Sequence, residues 1–287
     1  DKPLGEKFFS QYGFEFQAAN DSQLMDAIGN SIPDLIVFDR LDTDKELITR
    51  IKEISKDSRI VSFEDQGSGA QLVDLVISDI YENPEVDSSK QLVGIENAIL
   101  APNFETLNRQ KEVSESVSEI AVLFGGTDPS GLALKALRAI ESIGFQGKVK
   151  LIRGLGAKEI TDEFQLNLEV MSNVKNMPKE LSTADIALSS AGRTITELAS
   201  LGIPTICMAQ NQKELTHSHT TPDNGVLMLG LGNQTNDKEL AEAIKGLISD
   251  FDKRKELSDN AKRATATRSN RAIVGKIMNL VFQTQQS

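Results

Sequence analysis

The sequence predicts an α/β protein of two domains, each a mostly parallel sheet with helices packed on it. Three observations carry that prediction. Apolar runs of strand length alternate with polar or amphipathic stretches of helix length along the whole chain. Some of those runs are apolar throughout, as in strands buried on both faces of a parallel sheet. The chain has 287 residues, enough for two domains with a hydrophobic core each.

In the first half, a short helix-like piece at Leu4–Tyr12 leads to an expected strand at Phe14–Ala18. Further strands are expected at Leu35–Phe38, Arg59–Ser62 and Leu75–Ser78, with helix-compatible stretches at Asp21–Ile28 and Asp44–Ile54 between them. The run at Leu35 ends in Asp39, at the carboxyl edge of a strand, where open α/β sheets place ligands. Pro102 and the polar, unpatterned stretch Asn108–Glu115 mark a break. The domains are therefore read as 1–108, a linker at 109–116, and 117–287, with a last helix able to pack back on the N-terminal domain.

The second half opens with Ile120–Phe124, an apolar run that reads as a buried parallel strand. A helix follows the Gly125–Gly131 turn, with Leu132, Ala136, Leu137, Ile140 and Ile143 on one stripe. Strands are expected at Val149–Ile152, Leu168–Met171, Ile186–Leu188, Thr205–Met208 and Val226–Leu229. A second helix carries Leu240, Ile244, Leu247, Ile248 and Phe251, and a last one covers Ser269–Phe282.

Composition narrows the function. No apolar run approaches the roughly 18 to 20 residues of a membrane span, and no signal-peptide pattern opens the chain. The net charge of −11 argues against a nucleic-acid or anionic-membrane partner. It leaves a phosphate ligand open, because backbone N–H groups at helix starts bind phosphate without adding charge. With one Cys and two His, a His/Cys metal site has too few ligands, and no cofactor is expected. Cys207 reads as a buried thiol in a reducing cytoplasm.

Three turns could carry chemistry. Phe124-Gly-Gly-Thr-Asp-Pro-Ser130 joins a buried strand to a helix. Gly125 and Gly126 let backbone amides approach an anion, and Thr127 adds a hydroxyl; Asp128 is awkward beside phosphate and is read as a helix cap. The alternative is a plain βα turn. Ser189-Ser-Ala-Gly-Arg-Thr-Ile-Thr-Glu197 repeats the arrangement, with Ser189, Ser190, Gly192, Arg193 and Thr194 at the turn. Glu197, about one turn into that helix, either accepts two ribose hydroxyls or is a first-turn acid favoured by the helix dipole. The third, Gln210 to His219, sets Asn211 and Gln212 past a strand's carboxyl end, followed by His217 and His219. Two histidines at i, i+2 do not share a helix face, and each alone reads as a solvated or capping residue. A weaker signal is Asn173-Val-Lys-Asn176-Met177, a loop whose backbone could read a nucleobase edge.

Taken together, Phe-Gly-Gly-Thr-Asp-Pro, Asn-Met, Ser-Ala-Gly-Arg-Thr-x-x-Glu with Gly-x-Pro, and Asn-Gln resemble the nucleotide-sugar hydrolases of pseudaminic acid biosynthesis. Related spore-coat polysaccharide biosynthesis proteins share the pattern. The resemblance extends to Pro33–Asp39, Arg59–Asp65 and Leu100–Glu105. It implies two Rossmann-like domains of the GT-B glycosyltransferase type and a nucleotide sugar, a UDP-sugar first, as ligand. It further implies that Ser190, Gly192, Thr194 and Glu197 hold diphosphate and ribose, that Gly126 and Thr127 approach the phosphates, and that Asn211 and Gln212 face the sugar side.

The sequence departs from that family in one respect. The family's N-terminal domain starts with a strand and a Gly-x-Gly-His loop whose histidine is its expected base, and this sequence contains no Gly-x-Gly-His. Weak substitutes are His217, Asp39 and Asp65. Two readings follow: most of a nucleotide-sugar hydrolase or glycosyltransferase-like enzyme, or a non-catalytic nucleotide-sugar-binding domain of a larger protein such as a cytidylyltransferase fusion. An upstream domain of the same polypeptide is a partner in either.

Overall fold

The computed structural model describes residues 13–107 and 112–284. The piece expected at Leu4–Tyr12 and the first residues of the expected linker lie outside them. The chain divides into two compact units, one of Asp1–Val76, Pro84–Gln91 and Lys276–Ser287, the other of Ile77–Asn83 and Leu92–Gly275.

The first unit holds helix α1 (Asp21–Ser31), strand β1 (Leu35–Asp39), helix α2 (Lys45–Ile54) and strand β2 (Arg59–Phe63). Strands β3 (Leu75–Ser78) and β4 (Gln91–Val93) complete its sheet in the order β1-β2-β3-β4. Asn20 and Gln23 start α1 with a reciprocal capping box, and the Asp44 carboxylate caps α2 by accepting from Leu47 N–H. Leu47, Ile48 and Ile51 of α2 pack with Ile36, Phe38 and Ile60 of the sheet. The expected strand at Phe14–Ala18 does not form. Those residues alternate apolar and polar as a strand does, but they join neither sheet, and Phe14 is 65% exposed.

The second unit is a six-stranded parallel sheet in the order β10-β9-β8-β5-β6-β7. Its strands are β5 (Glu119–Leu123), β6 (Lys148–Arg153), β7 (Asn167–Ser172), β8 (Ile186–Ser189), β9 (Thr205–Ala209) and β10 (Val226–Leu231). Its helices include α3 (Asn103–Thr106), α4 (Leu132–Ser142), α5 (Met177–Leu181), α6 (Thr194–Ser200) and α7 (Asp237–Ser249). β5 is buried along its whole length. Ile120 and Val122 meet Leu137 and Ile140 of α4 and Leu240 and Ile244 of α7. Ala121 and Leu123 meet Phe104, Leu181 and Leu198 on the opposite face. Burial on both faces is the physical reason for the unbroken apolar run.

The helix expected to run through Phe251 stops at Ser249. Asp250 caps the next helix, α8 (Phe251–Ala264), by accepting from Lys253 N–H at 2.8 Å. The sequence hides α8 because its buried stripe is Arg254, Leu257, Ser258 and Ala261, half of it polar. Arg254 is fully buried and donates to the carbonyls of Leu247, Ile248, Ser114 and Glu115, which leaves the end of α7 satisfied. Helix α9 (Asn270–Thr284) ends the described chain. Among the described residues, no helix is long and apolar enough to cross a membrane.

The strand order reverses between β5 and β8, which are neighbours paired in parallel with Val122 opposite Leu188. In open α/β sheets the crevice outside the carboxyl ends at such a reversal is where ligands bind. The two glycine-containing turns of the sequence both leave the sheet there.

Candidate functional site

The turn after β5 is set by backbone geometry. Gly125 has φ of +74° and Gly131 +66°, in the left-handed region that glycine adopts without strain. Asp128, also left-handed at +42°, sends its carboxylate to the N–H groups of Leu132 at 2.9 Å and Ala133 at 3.0 Å. It caps α4, as the sequence suggested, and so takes the donors an anion would otherwise meet at that helix. The Gln210 side chain ties the turn to the end of β9, donating to Asp128 at 2.8 Å and accepting from Ser130 N–H at 3.1 Å. Beyond β6 a second glycine turn lies against the first. Gly156 N–H donates to Gly126 O at 3.0 Å, and a Cβ on Gly154 would fall 2.2 Å from that oxygen.

The turn after β8 is held from beneath. Ser189 and Ser190 are buried, and Ser189 Oγ has no partner. Glu214 accepts from Ala191 N–H at 3.2 Å and from Gln210 N–H at 2.9 Å. The histidines are buried, not solvated as expected. His217 Nδ1 bonds the Ala191 carbonyl, and its Nε2 lies 2.9 Å from the Tyr81 hydroxyl. A carbonyl only accepts, so the proton is assigned to Nδ1, and Tyr81 donates to Nε2. Burial lowers the pKa of His217 and keeps the ring neutral. His219 donates from Nε2 to the Gly192 carbonyl at 3.1 Å, and burial lowers its pKa as well. Asp79 closes the arrangement, 3.1 Å from the Thr196 hydroxyl and 4.0 Å from the Arg193 guanidinium.

Both nitrogens of His217 are thus engaged within the protein, which makes it a holder of the loop and leaves it no lone pair for a substrate proton. Asp65 is committed in the same way, accepting from Thr43 N–H at 3.0 Å, Thr43 Oγ at 2.6 Å and Gly67 N–H at 3.0 Å. Asp39 is exposed at the end of β1.

A cavity of about 330 Å³ gathers Gly125, Gly126, Met177, Thr194 and Glu197 with Arg153, Asn173 and Val174. Glu197 is half-buried, and no described group donates to its carboxylate. Burial alone raises its pKa from 4.5 to about 7. Asn173 has a left-handed backbone, φ +53°, which Asn tolerates better than most residues and which turns the loop at the end of β7. Other residues singled out from the sequence serve local structure. The Asn176 side chain caps α5, accepting from Lys179 N–H, and Asn211 Oδ1 accepts from Glu214 N–H at 3.1 Å. Gln212 and Thr127 are exposed. The sequence reading missed Arg153, Gln210, Glu214 and Tyr81. Arg153 had a findable signal, since it directly follows the apolar run Val149–Ile152 at a carboxyl strand end.

Two α/β units with parallel pairing and a crevice at the reversal of strand order define the architecture of GT-B glycosyltransferases. The solved structure of the glycotransferase of kitacinnamycin superposes with a TM-score of 0.63 at 13% identity, over 91% of this chain and 79% of that one. Anabaena HepE, solved in complex with UDP and glucose, gives 0.55 at 15% identity, over 92% and 81%. At those identities the likeness establishes the fold.

The glycosyltransferase family 28 C-terminal domain matches residues 120–273, and the chain belongs to that family. Among curated relatives, the spore coat polysaccharide biosynthesis protein SpsG of Bacillus subtilis is 25% identical over 232 residues, 76% of this chain and 68% of that protein. The chain spans only 51% of the length of two further curated relatives.

Proposed function

We propose that this chain binds a nucleotide sugar, a UDP-sugar first, in the Glu197 cavity, as the nucleotide-binding part of an enzyme of surface polysaccharide or nonulosonic acid biosynthesis. One observation carries the reading: a half-buried carboxylate with no protein donor, in a cavity walled by two glycine turns at the reversal of strand order. A carboxylate so placed is an acceptor awaiting hydroxyl donors, and a ribose offers two. Burying it without them is costly, and hydrogen bonds to a charged group strengthen as water leaves.

The remaining roles follow from position. Amides of the Gly125–Thr127 turn and of the Ser190–Thr194 turn meet the diphosphate, whose charge grows when the bond to the sugar breaks; fixed donors aimed at that charge favour its departure. Met177 and the backbone at Asn173 and Val174 flank the base. Asn211 and Gln212 stand on the sugar side. His217 and His219 hold the Ala191 and Gly192 carbonyls, so the base for an attacking water or acceptor hydroxyl comes from another group. Release of the free sugar by water or its transfer to an acceptor are both consistent with this half of the chemistry. Similarity to SpsG and the Ser-Ala-Gly-Arg-Thr-x-x-Glu motif support the assignment to surface-sugar synthesis.

Calorimetry with UDP, CDP and GDP tests the reading. Binding of at least one of them at sub-millimolar concentration is expected. A folded protein that binds none at millimolar concentration would end it.

A further inference from the structure

Arg153 closes β6, and its side chain is half-buried in the wall of the Glu197 cavity. Its Nε is shut off from solvent and has no hydrogen-bond partner. Among the described residues, no carboxylate pairs with its guanidinium. Glu197 does not answer it either, because burial alone moves that carboxyl and no cation pulls its pKa down. One cavity thus contains a cation and an anion that do not pair with each other.

The sheet spaces the strands that carry them. Glu197 stands on the helix that follows β8, Arg153 ends β6, and β5 lies between those strands. The ends of β8 and β6 are thus two strand spacings apart, about 10 Å along the carboxyl edge. The inference rests on the reading of Glu197 as the ribose acceptor. With the ribose there, its base and its diphosphate leave the sugar ring in opposite directions. The diphosphate goes to the turns that follow β8 and β5, so the base runs toward β6 and β7, past Gly154 and Asn173. About 10 Å accommodates the ribose and one ring, and the cation then meets the edge of the ring far from the sugar.

We propose that Arg153 selects the nucleobase by that far edge. A guanidinium has only donors. It donates to the 4-carbonyl of uracil or the 6-carbonyl of guanine and is mismatched with the amino group that cytosine and adenine carry at the same position. A donor facing a donor in a half-buried wall leaves both unsatisfied, which is the stronger source of discrimination. The adjoining cavity of about 340 Å³, lined by Phe124, Leu134 and Ile160, shares Arg153 as a wall and leaves the guanidinium room to turn toward a ring.

The test compares UDP and CDP by calorimetry on the wild-type chain, Arg153→Met and Arg153→Lys. The wild type is expected to bind UDP about tenfold or more tightly than CDP. Arg153→Met weakens UDP by about tenfold to a hundredfold, the range for a hydrogen bond to a charged group, and moves CDP by less than about twofold. Arg153→Lys, which keeps the charge and loses the planar fork, falls between. If Arg153→Met does not fold, Arg153→Lys decides, since a selective loss of UDP remains its expected signature. An equal loss for both nucleotides would make Arg153 a phosphate contact and overturn the proposal, as would equal affinities in the wild type. Failure of the wild type to bind either nucleotide would instead overturn the cavity reading on which the proposal stands.

Discussion

Replacing Glu197 by glutamine is expected to stabilise the empty protein while weakening nucleotide binding, and pH separates the two effects. Burial raises the Glu197 pKa from 4.5 to about 7. The folded state therefore keeps a proton that the unfolded state releases between those values. Stability attributable to this group is highest at low pH, falls as pH rises through that window, and levels off above about pH 7. At about 1.4 kcal/mol per unit, the total fall is up to about 3 kcal/mol. Glutamine does not titrate and removes it. The melting temperatures of Glu197→Gln and wild type are expected to coincide near pH 4 and to diverge by several degrees near pH 8, at roughly 2 to 4 °C per kcal/mol. Ribose hydroxyls favour the ionised form, so UDP affinity of the wild type rises with pH through about 7. The glutamine variant binds more weakly by about 1.5 to 3 kcal/mol, without that pH dependence. Thermal melts across pH and calorimetry near pH 6 and pH 8 read both effects. Parallel melting curves would show that the carboxylate is well solvated, and an unchanged UDP affinity would return Glu197 to a first-turn helix acid.

Four further outcomes are expected. His217→Ala leaves the Ala191 carbonyl and Tyr81 hydroxyl without partners and costs about 1 to 3 kcal/mol, whereas His217→Asn, which keeps a donor near Nδ1, recovers part of it; equal melting of all three proteins would contradict the assigned bonds. Because burial lowers both histidine pKa values from 6.5, the wild type loses stability as pH falls below that value, and acid melts of His217→Asn are expected to be flatter. Asp128→Ala uncaps α4 and frees Gln210, at a cost of about 1 to 2 kcal/mol in denaturant unfolding, and no cost would show the cap to be replaceable by water. Gly154→Ala drives a methyl into the Gly126 carbonyl, spreads the two glycine turns and abolishes UDP binding before it abolishes folding; retained binding would show that the turns move independently.

The strands and most helices were legible because burial on both faces leaves runs such as Ile120–Phe124 and Ile206–Met208 with no polar interruption. The turns at the reversal of strand order were legible for a related reason, since glycines and small hydroxyl residues mark tight strand-to-helix turns. Two elements were misread where the pattern and the packing part company. Phe14–Ala18 has the alternation of a strand without a place in either sheet. Helix α8 turns Arg254 and Ser258 inward, so its apolar period is broken in the sequence, although the terminal guanidinium nitrogens of Arg254 and the Ser258 hydroxyl donate to backbone carbonyls. The candidate base His217 was legible as a histidine near the site but not as a committed one. Its partners, Tyr81 and Ala191, lie 136 and 26 residues away along the chain. Arg153 was missed because a cation ending a strand reads as an ordinary solvated residue until its missing acceptor is seen.

The bond between Tyr81 and His217 also gives the protein a built-in optical reporter. The sequence has no tryptophan and two tyrosines, and the Tyr81 hydroxyl is bonded to the His217 ring that holds the Ala191 carbonyl. Its emission is not drowned by an indole, and its hydroxyl responds to any shift of that loop. A shift of that loop on nucleotide binding is therefore expected to change the tyrosine emission of the unlabelled chain, and Tyr81→Phe is expected to abolish the change.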